Sequence, residues 1–360
     1  MLSIISIGEA EKWDGIVKSF KNYDAYYLSG YSKGFQLHGD GEPHLFYYDD
    51  GYMRAMNVVM KRDVSQDENF AGKVPENSYF DLTTPYGYGG FLLEGKITEN
   101  SLKRLDKEYS SSCRDCGIIS EFVRFQPVLR NSEALGNVYK ITCLSKTISI
   151  ALDSREQIWN NLTSRNRNMV RKAQRFGIEI YWGRNAELYK EFVQMYNVTM
   201  DKDNATDYYY FEDDFYNSIL NDFKYNSFMF YAVYQGKKIA MSIILFANKQ
   251  MHYHLSSSDR EYQHLAPTNL LLYEAACWGS ENGYKTFHLG GGLGSSEDGL
   301  FKFKSSFNRN SDNIFAIGRK IFDEEKYEEL VDIRKSDSGT DTSSGFFPRY
   351  RAEFGEATEK

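Results

Sequence analysis

The chain repeats itself, and that repeat constrains its fold more than any other feature. Residues 46–59 run Phe46-Tyr47, a turn ending in Gly51, then Ala55-Met56 and the β-branched pair Val58-Val59. Residues 230–244 run Phe230-Tyr231, a turn ending in Gly236, then Ala240-Met241 and Ile243-Ile244, with one residue of gap. Each segment predicts a β-hairpin, because Asp50-Gly51 and Gln235-Gly236 supply the positive φ that a tight turn demands. The elements that follow also recur in order. After the first hairpin come a strand near residues 79–83, the loop Pro85-Tyr86-Gly87-Tyr88-Gly89-Gly90, a helix at 100–117 and a strand at 118–125. After the second come a strand at 250–257, a polar loop, a helix at 267–281 opened by Pro267 and closed before Gly283, and a buried strand at 285–289. A repeated supersecondary unit must be met by a repeated fold, so the expectation is α+β with two domains of one type in tandem.

Length permits this, since 360 residues with 41% hydrophobic and 26% charged side chains suffice for two ordinary domains. The boundaries expected are 1–146 for the first domain, 147–335 for the second and 336–360 for a flexible tail, where SDSGTDTSS is small and polar. A net charge of −7 argues against a surface that wraps nucleic acid or anionic lipid everywhere and leaves room only for a local basic patch. One candidate is the helical stretch at 157–176, where Arg167, Arg171 and Arg175 are four apart and share a face. The start lacks a leader pattern and no run of 18 apolar residues occurs, so the expected location is the cytoplasm. Cys113 and Cys116 form a C-x-x-C near the end of the 100–117 helix, without a second pair or a histidine at ligand spacing. They are expected to face a core, and no metal is expected.

No phosphate loop, dinucleotide fingerprint, zinc spacing or Ser/His/Asp signature is present. Three glycine- or lysine-bearing stretches remain as cleft candidates. The PYGYGG loop offers close backbone approach between the rings of Tyr86 and Tyr88. The turn Leu289-Gly290-Gly291-Gly292 offers free N–H groups for an anion or oxyanion. The stretch Gly299-Leu300-Phe301-Lys302-Phe303-Lys304-Ser305-Ser306-Phe307, taken as a strand, puts both lysines on one face. His252 and His254 alternate on one strand, and His254 is kept as a cleft residue.

The order of these motifs, with SRNRNMVRKAQRFGIEI, PYGYGG, HLGGG and FKFKSSF, resembles the FemAB group of peptidoglycan bridge-forming aminoacyltransferases over residues 20–320. The resemblance implies two GNAT-like domains, each a mixed, mostly antiparallel sheet flanked by helices. It implies transfer of an aminoacyl group from transfer RNA to an amine of a cell-wall precursor, without a resident cofactor. The acceptor would be a nucleotide-sugar, lipid-linked or glycan amine, met with at most transient contact at a membrane surface. The family's late Phe-Lys pair falls on Phe303 and Lys304, with Lys302 as competitor for the cationic role. Arg165, Arg171 and Lys172 would then hold phosphates, and Tyr86, Tyr88 and Arg124 would line the first-domain side of the cleft. The long helical arm of glycine-bridge enzymes has no counterpart between Gly183 and Tyr225. Ordinary GNAT enzymes hold coenzyme A on a Q/R-x-x-G-x-G/A loop. Here Gln263 and Leu265 replace its glycines between Arg260 and Ala266, which disfavours an acyl-CoA donor without removing it. The alternatives are an acyl-CoA N-acyltransferase acting on an amino sugar of a surface polysaccharide, and a binding module that has lost its chemistry.

Overall fold

A computed structural model describes residues 1–336 and 345–352. In chain order the elements are β1 (Leu2–Ser6), α1 (Ala10–Ser19), α2 (Ser29–His38), β2 (Glu42–Asp49), β3 (Met53–Asp63), β4 (Phe80–Thr83), β5 (Leu92–Gly95), α3 (Glu99–Asp115), β6 (Ile118–Arg124) and β7 (Lys140–Ala151). There follow α4 (Arg155–Asn161), α5 (Ser164–Arg175), β8 (Glu179–Gly183), α6 (Ala186–Asp203), α7 (Asp213–Asn221), β9 (Ser227–Tyr234), β10 (Lys237–Ala247), β11 (Gln250–Ser258), α8 (Pro267–Glu281), β12 (Thr286–Gly290), α9 (Gly299–Ser305), β13 (Asn313–Ile321) and α10 (Glu324–Ser336). The fold is α+β, its sheet mixed and mostly antiparallel with helices packed on it.

The chain forms two compact units, one of residues 1–145 together with the described residues from Ile314 onward, the other of Lys146–Asn313. The first break falls beside the expected 146/147. The second differs from the expectation: β13 does not close the second unit but pairs antiparallel with β6, Ile317 opposite Arg124 and Ile321 opposite Ser120. Ala316 of β13 is buried in the first unit's core with Phe125 and Tyr139, so tertiary packing overrides sequence adjacency.

In the first unit the sheet order is β1-β2-β3-β4-β6-β13, with β5 also on β3. The Asp50-Gly51 turn forms as expected, Asp50 Oδ1 accepting from the N–H groups of Tyr52 and Met53 while Gly51 takes φ +81°. Helix α3 is fixed at its start by a capping box between Thr98 and Ser101. Its Cys113 is buried while Cys116, at the helix end, is exposed, so only one of the pair faces the core. Of the expected flexible tail, 337–344 and 353–360 lie outside the described residues. Residues 345–352 dock, since Tyr350 is fully buried and Arg351 pairs with Asp81 at 2.5 Å and Asp67 at 2.9 Å.

In the second unit the order is β7-β12-β11-β10-β9-β8. Gln235 (φ +49°) and Gly236 (φ +78°) make the two-residue turn of the β9–β10 hairpin. Helix α8 spans Pro267–Glu281 as the sequence predicts and sets Leu270, Leu271 and Ala275 against Ile148, Ile150, Phe230, Ile244, Met251 and Phe287 of the sheet. The helical stretch at 157–176 is two helices, broken at Leu162–Thr163, where Thr163 caps α5 by accepting from Asn166 N–H. One expectation fails. The FKFKSSF stretch is helical, because Asp298 caps it, Oδ1 accepting from Phe301 N–H at 2.8 Å.

Candidate functional site

Strands β11 and β12 run parallel, and their pairing spans Gln250–Thr286, Met251–Phe287 and His252–His288. Beyond that pair β11 stays with β10 as far as Ser258, while β12 stays with β7 as far as Gly290. Each strand therefore follows a different neighbour, and the sheet opens at the C-terminal ends of two parallel strands, where α/β folds receive ligands. Bulges accompany the parting. On β11 His254 is the extra residue, since Ile243 faces Leu255 and the next residue, Ile244, faces Tyr253.

Below the opening lies a row of buried polar groups. His252 is fully buried and His288 2% exposed, with ring centroids 5.8 Å apart and edge to face. His288 Nε2 shares a hydrogen bond with Thr147 Oγ1 at 2.9 Å. Burial, together with the nearby His252 and Lys304, pushes the His288 imidazole well below its ordinary range. Burial, helped by His252, pushes His254 down to about 3. Both are neutral rings at physiological pH.

The glycine turn and α9 complete the arrangement. Gly290 takes φ +80°, which favours glycine, and a Cβ on Gly292 would meet Ser296 O at 2.1 Å and Asp298 Oδ1 at 2.5 Å. Asp298 ties the turn to the helix, its Oδ2 accepting from Leu293 N–H at 3.3 Å. One turn into α9, Lys304 is only 9% exposed and donates from Nζ to Gly291 O at 2.7 Å. Gly291 thus engages Lys304 through its carbonyl. Burial pushes the Lys304 ammonium down to about 8, against the opposing pull of Asp298. A desolvated cation so placed can stabilise developing negative charge, and its low proton affinity lets it exchange a proton near neutral pH.

The helical form of α9 separates the two lysines. Lys302 is exposed, and Lys304 is buried beside the glycine turn. Phe303 packs on the core and meets Phe307 edge to face at 5.5 Å. On α5, Arg165 and Arg171 are exposed and Lys172 half-buried; none forms an ion pair among the described residues, and Arg171 stacks over Trp159 at 5.0 Å. Arg167, expected on the same basic face, instead donates to the Leu162 carbonyl and the Ser164 hydroxyl. In the first unit, Tyr86, Tyr88 and Arg124 form a neighbouring set. Tyr86 stacks on Phe35 at 5.8 Å, Tyr88 meets Tyr26 and Phe315 edge to face, and Arg124 lies over Phe122 at 5.2 Å. Burial raises the Tyr88 phenol above its ordinary value, reinforced by Tyr86 and opposed by Arg124. The loop itself is sealed to its neighbour strand, Gly89 N–H donating to Arg124 O at 2.7 Å. Sequence reasoning missed Thr147, His288 and Asp298. Only Asp298 carried a signal, as a capping residue ahead of an apolar pattern with helical spacing.

Among the described residues no three His, Cys, Asp or Glu side chains gather as metal ligands, and no helix is long and apolar enough to cross a membrane. Residues 161–304, which hold nearly all of these second-unit elements, match the family model of the Acetyltransferase (GNAT) domain. No curated protein matches in sequence. Among solved structures, FemX is similar over 91% of this chain and 99% of its own, at 14% identity and a TM-score of 0.65. A protein of unknown function from Bacteroides thetaiotaomicron VPI-5482 is similar over 89% and 99%, at 13% identity and a TM-score of 0.58. The C-terminal domain of an Agrobacterium fabrum protein assigned as a lysylphosphatidylglycerol synthetase is similar over 89% and 92%, at 13% identity and 0.53. Likeness at such identity speaks for the fold, and the matched domain speaks for the chemistry: the chain is an acyltransferase whose residues 161–304 match a GNAT domain.

Proposed function

We propose that the protein transfers an aminoacyl group from transfer RNA to an amine of a peptidoglycan precursor, with the second unit as the reaction centre of two tandem GNAT-like domains. The observation that carries this is Lys304, buried and held on Gly291 O at the end of the parting strands. The amine nitrogen attacks the acyl carbonyl carbon, and a C–N bond forms as the C–O bond of the ester breaks. The amine gives up a proton and the departing ribose hydroxyl takes one up. Lys304 stabilises the oxyanion, and Phe303 packs beside it. Arg165, Arg171 and Lys172, without acidic partners among the described residues, supply phosphate contacts, and His254 lines the opening as a neutral ring. The loop from Arg260 to Leu265 is wound as a 3-10 helix whose start is capped by Asp259, a poor cradle for a pyrophosphate. Likeness in fold to FemX and to a lysylphosphatidylglycerol synthetase domain favours an aminoacyl donor. Tyr86, Tyr88 and Arg124 are read as a substrate-binding set of the first unit.

The matched acetyltransferase domain favours a second reading, in which acyl-CoA is the donor and an amino sugar of a surface polysaccharide the acceptor. Amide formation from charged transfer RNA or from acyl-CoA, assayed on nucleotide-linked muropeptide and amino-sugar acceptors, separates the two. Product from charged transfer RNA, lost in Lys304→Ala, is the expected result. Product from acyl-CoA alone would move the donor to the second reading, and full activity of Lys304→Ala would remove the lysine from the mechanism.

A further inference from the structure

Thr147 touches both halves of the lysine's seat. It lies on β7 with its hydroxyl on His288 Nε2, and a Cβ built on Gly291 falls 3.6 Å from its Cγ2 and 3.3 Å from the Lys146 carbonyl. Thr147 is 1% exposed and His288 2%, so this bond is made in the interior, where directional hydrogen bonds are strong and unpaired groups costly. Its position is telling. Along the β12–β7 pair, His288 faces Ser149 and Gly290 faces Ile148, which leaves Leu289 as the extra residue of a bulge. The Thr147–His288 bond clamps the two strands at that bulge. One residue further, the chain turns through Gly290 and presents the Gly291 carbonyl to Lys304.

Resting on the reading that Lys304 serves the transfer, we infer that Thr147 and His288 are positioning residues: their bond fixes the β12 bulge and so holds the Gly291 carbonyl where it orients the Lys304 amine. An apolar pair would fill the same space but would not prevent the bulge from sliding, and a slip of one residue would turn Gly291 away from α9. The groups facing this bond are His252 from β11 and Lys304 from α9; both disfavour a charge on His288, so the clamp keeps one protonation state across the physiological range.

The test follows Lys304 itself, without substrate. In protein carrying 13C-labelled lysine, the Lys304 signal is identified by its loss in Lys304→Met and titrated by NMR. Thr147→Val keeps the shape and removes the hydroxyl; the seat then loosens, water reaches Nζ, and the Lys304 midpoint rises by one pH unit or more. Thr147→Ser retains the wild-type midpoint. His288→Asn carries the same test if the valine variant unfolds, with near-ultraviolet circular dichroism as the check on fold. In the transfer assay Thr147→Val lowers kcat tenfold or more with KM little changed, and adds nothing in a Lys304→Met background. Identical Lys304 titrations in wild type, Thr147→Val and His288→Asn would overturn the inference whatever the lysine does. Undiminished transfer by Lys304→Met would instead overturn the proposed role of the lysine, leaving the titration to report on the seat alone.

Discussion

Replacing Lys304 by methionine should abolish transfer and stabilise the protein. The magnitude follows from the seat. Burial lowers the ammonium from the ordinary 10.5 to about 8. At roughly 1.4 kcal/mol per pH unit, a difference of 10.5 − 8 means the charged form costs about 3 kcal/mol in the folded state. Methionine fills a similar length without a charge and forgoes the hydrogen bond to Gly291 O, worth about 1 kcal/mol, so a net gain near 2 kcal/mol is expected at pH 7. The sign with pH is fixed by linkage. Between pH 8 and 10.5 the unfolded chain binds more protons at this lysine than the folded one, so wild-type stability rises with pH across that window and the cost is gone above it. Guanidinium denaturation of both proteins at pH 7 and at pH 10.5 measures the gap, which should be large at the lower pH and close at the higher. A variant less stable than wild type at pH 7, or a gap unchanged with pH, would refute the argument that Lys304 is a desolvated cation.

Asp298→Asn keeps the helix cap but removes the charge that opposes burial, so Lys304 should titrate still lower by NMR, whereas Asp298→Ala should also cost about 1 kcal/mol in denaturation through loss of the cap. Gly292→Ala drives a methyl group into Ser296 O at 2.1 Å and should cost about 1–3 kcal/mol and most of the transfer rate, seen in paired denaturation and activity measurements. Arg351→Met strips a fully buried Asp81 of one of its two guanidinium partners and should cost about 3–5 kcal/mol in the first unit, with Asp81→Asn in the same chain recovering much of it.

The sequence disclosed what local chemistry dictates. Both hairpins, the Pro267–Glu281 helix and the buried strand that follows it were legible because glycine, proline and apolar spacing act over a few residues. It failed where distant packing decides. Phe301, Lys302, Phe303 and Lys304 alternate like a strand, yet a single aspartate before them and the core at Phe307 make them a helix, and that change chooses Lys304 over Lys302 as the buried amine. Thr147 carried no signal at all, because its partner His288 is 141 residues away. Arg167 looked like one of a row of arginines on a basic helix face until the helix break at Leu162–Thr163 gave it the Leu162 carbonyl to bind.

The way the second unit interrupts the first bears on how the protein is made. Strand β6 waits for β13, nearly two hundred residues later in the chain, and Asp81 waits for Arg351. On a ribosome, residues 146–313 emerge complete, with Asn313 ready to bind Ser149, before the first unit can close its sheet. The reaction centre is therefore expected to mature first, and the half that begins the chain is the last to become whole.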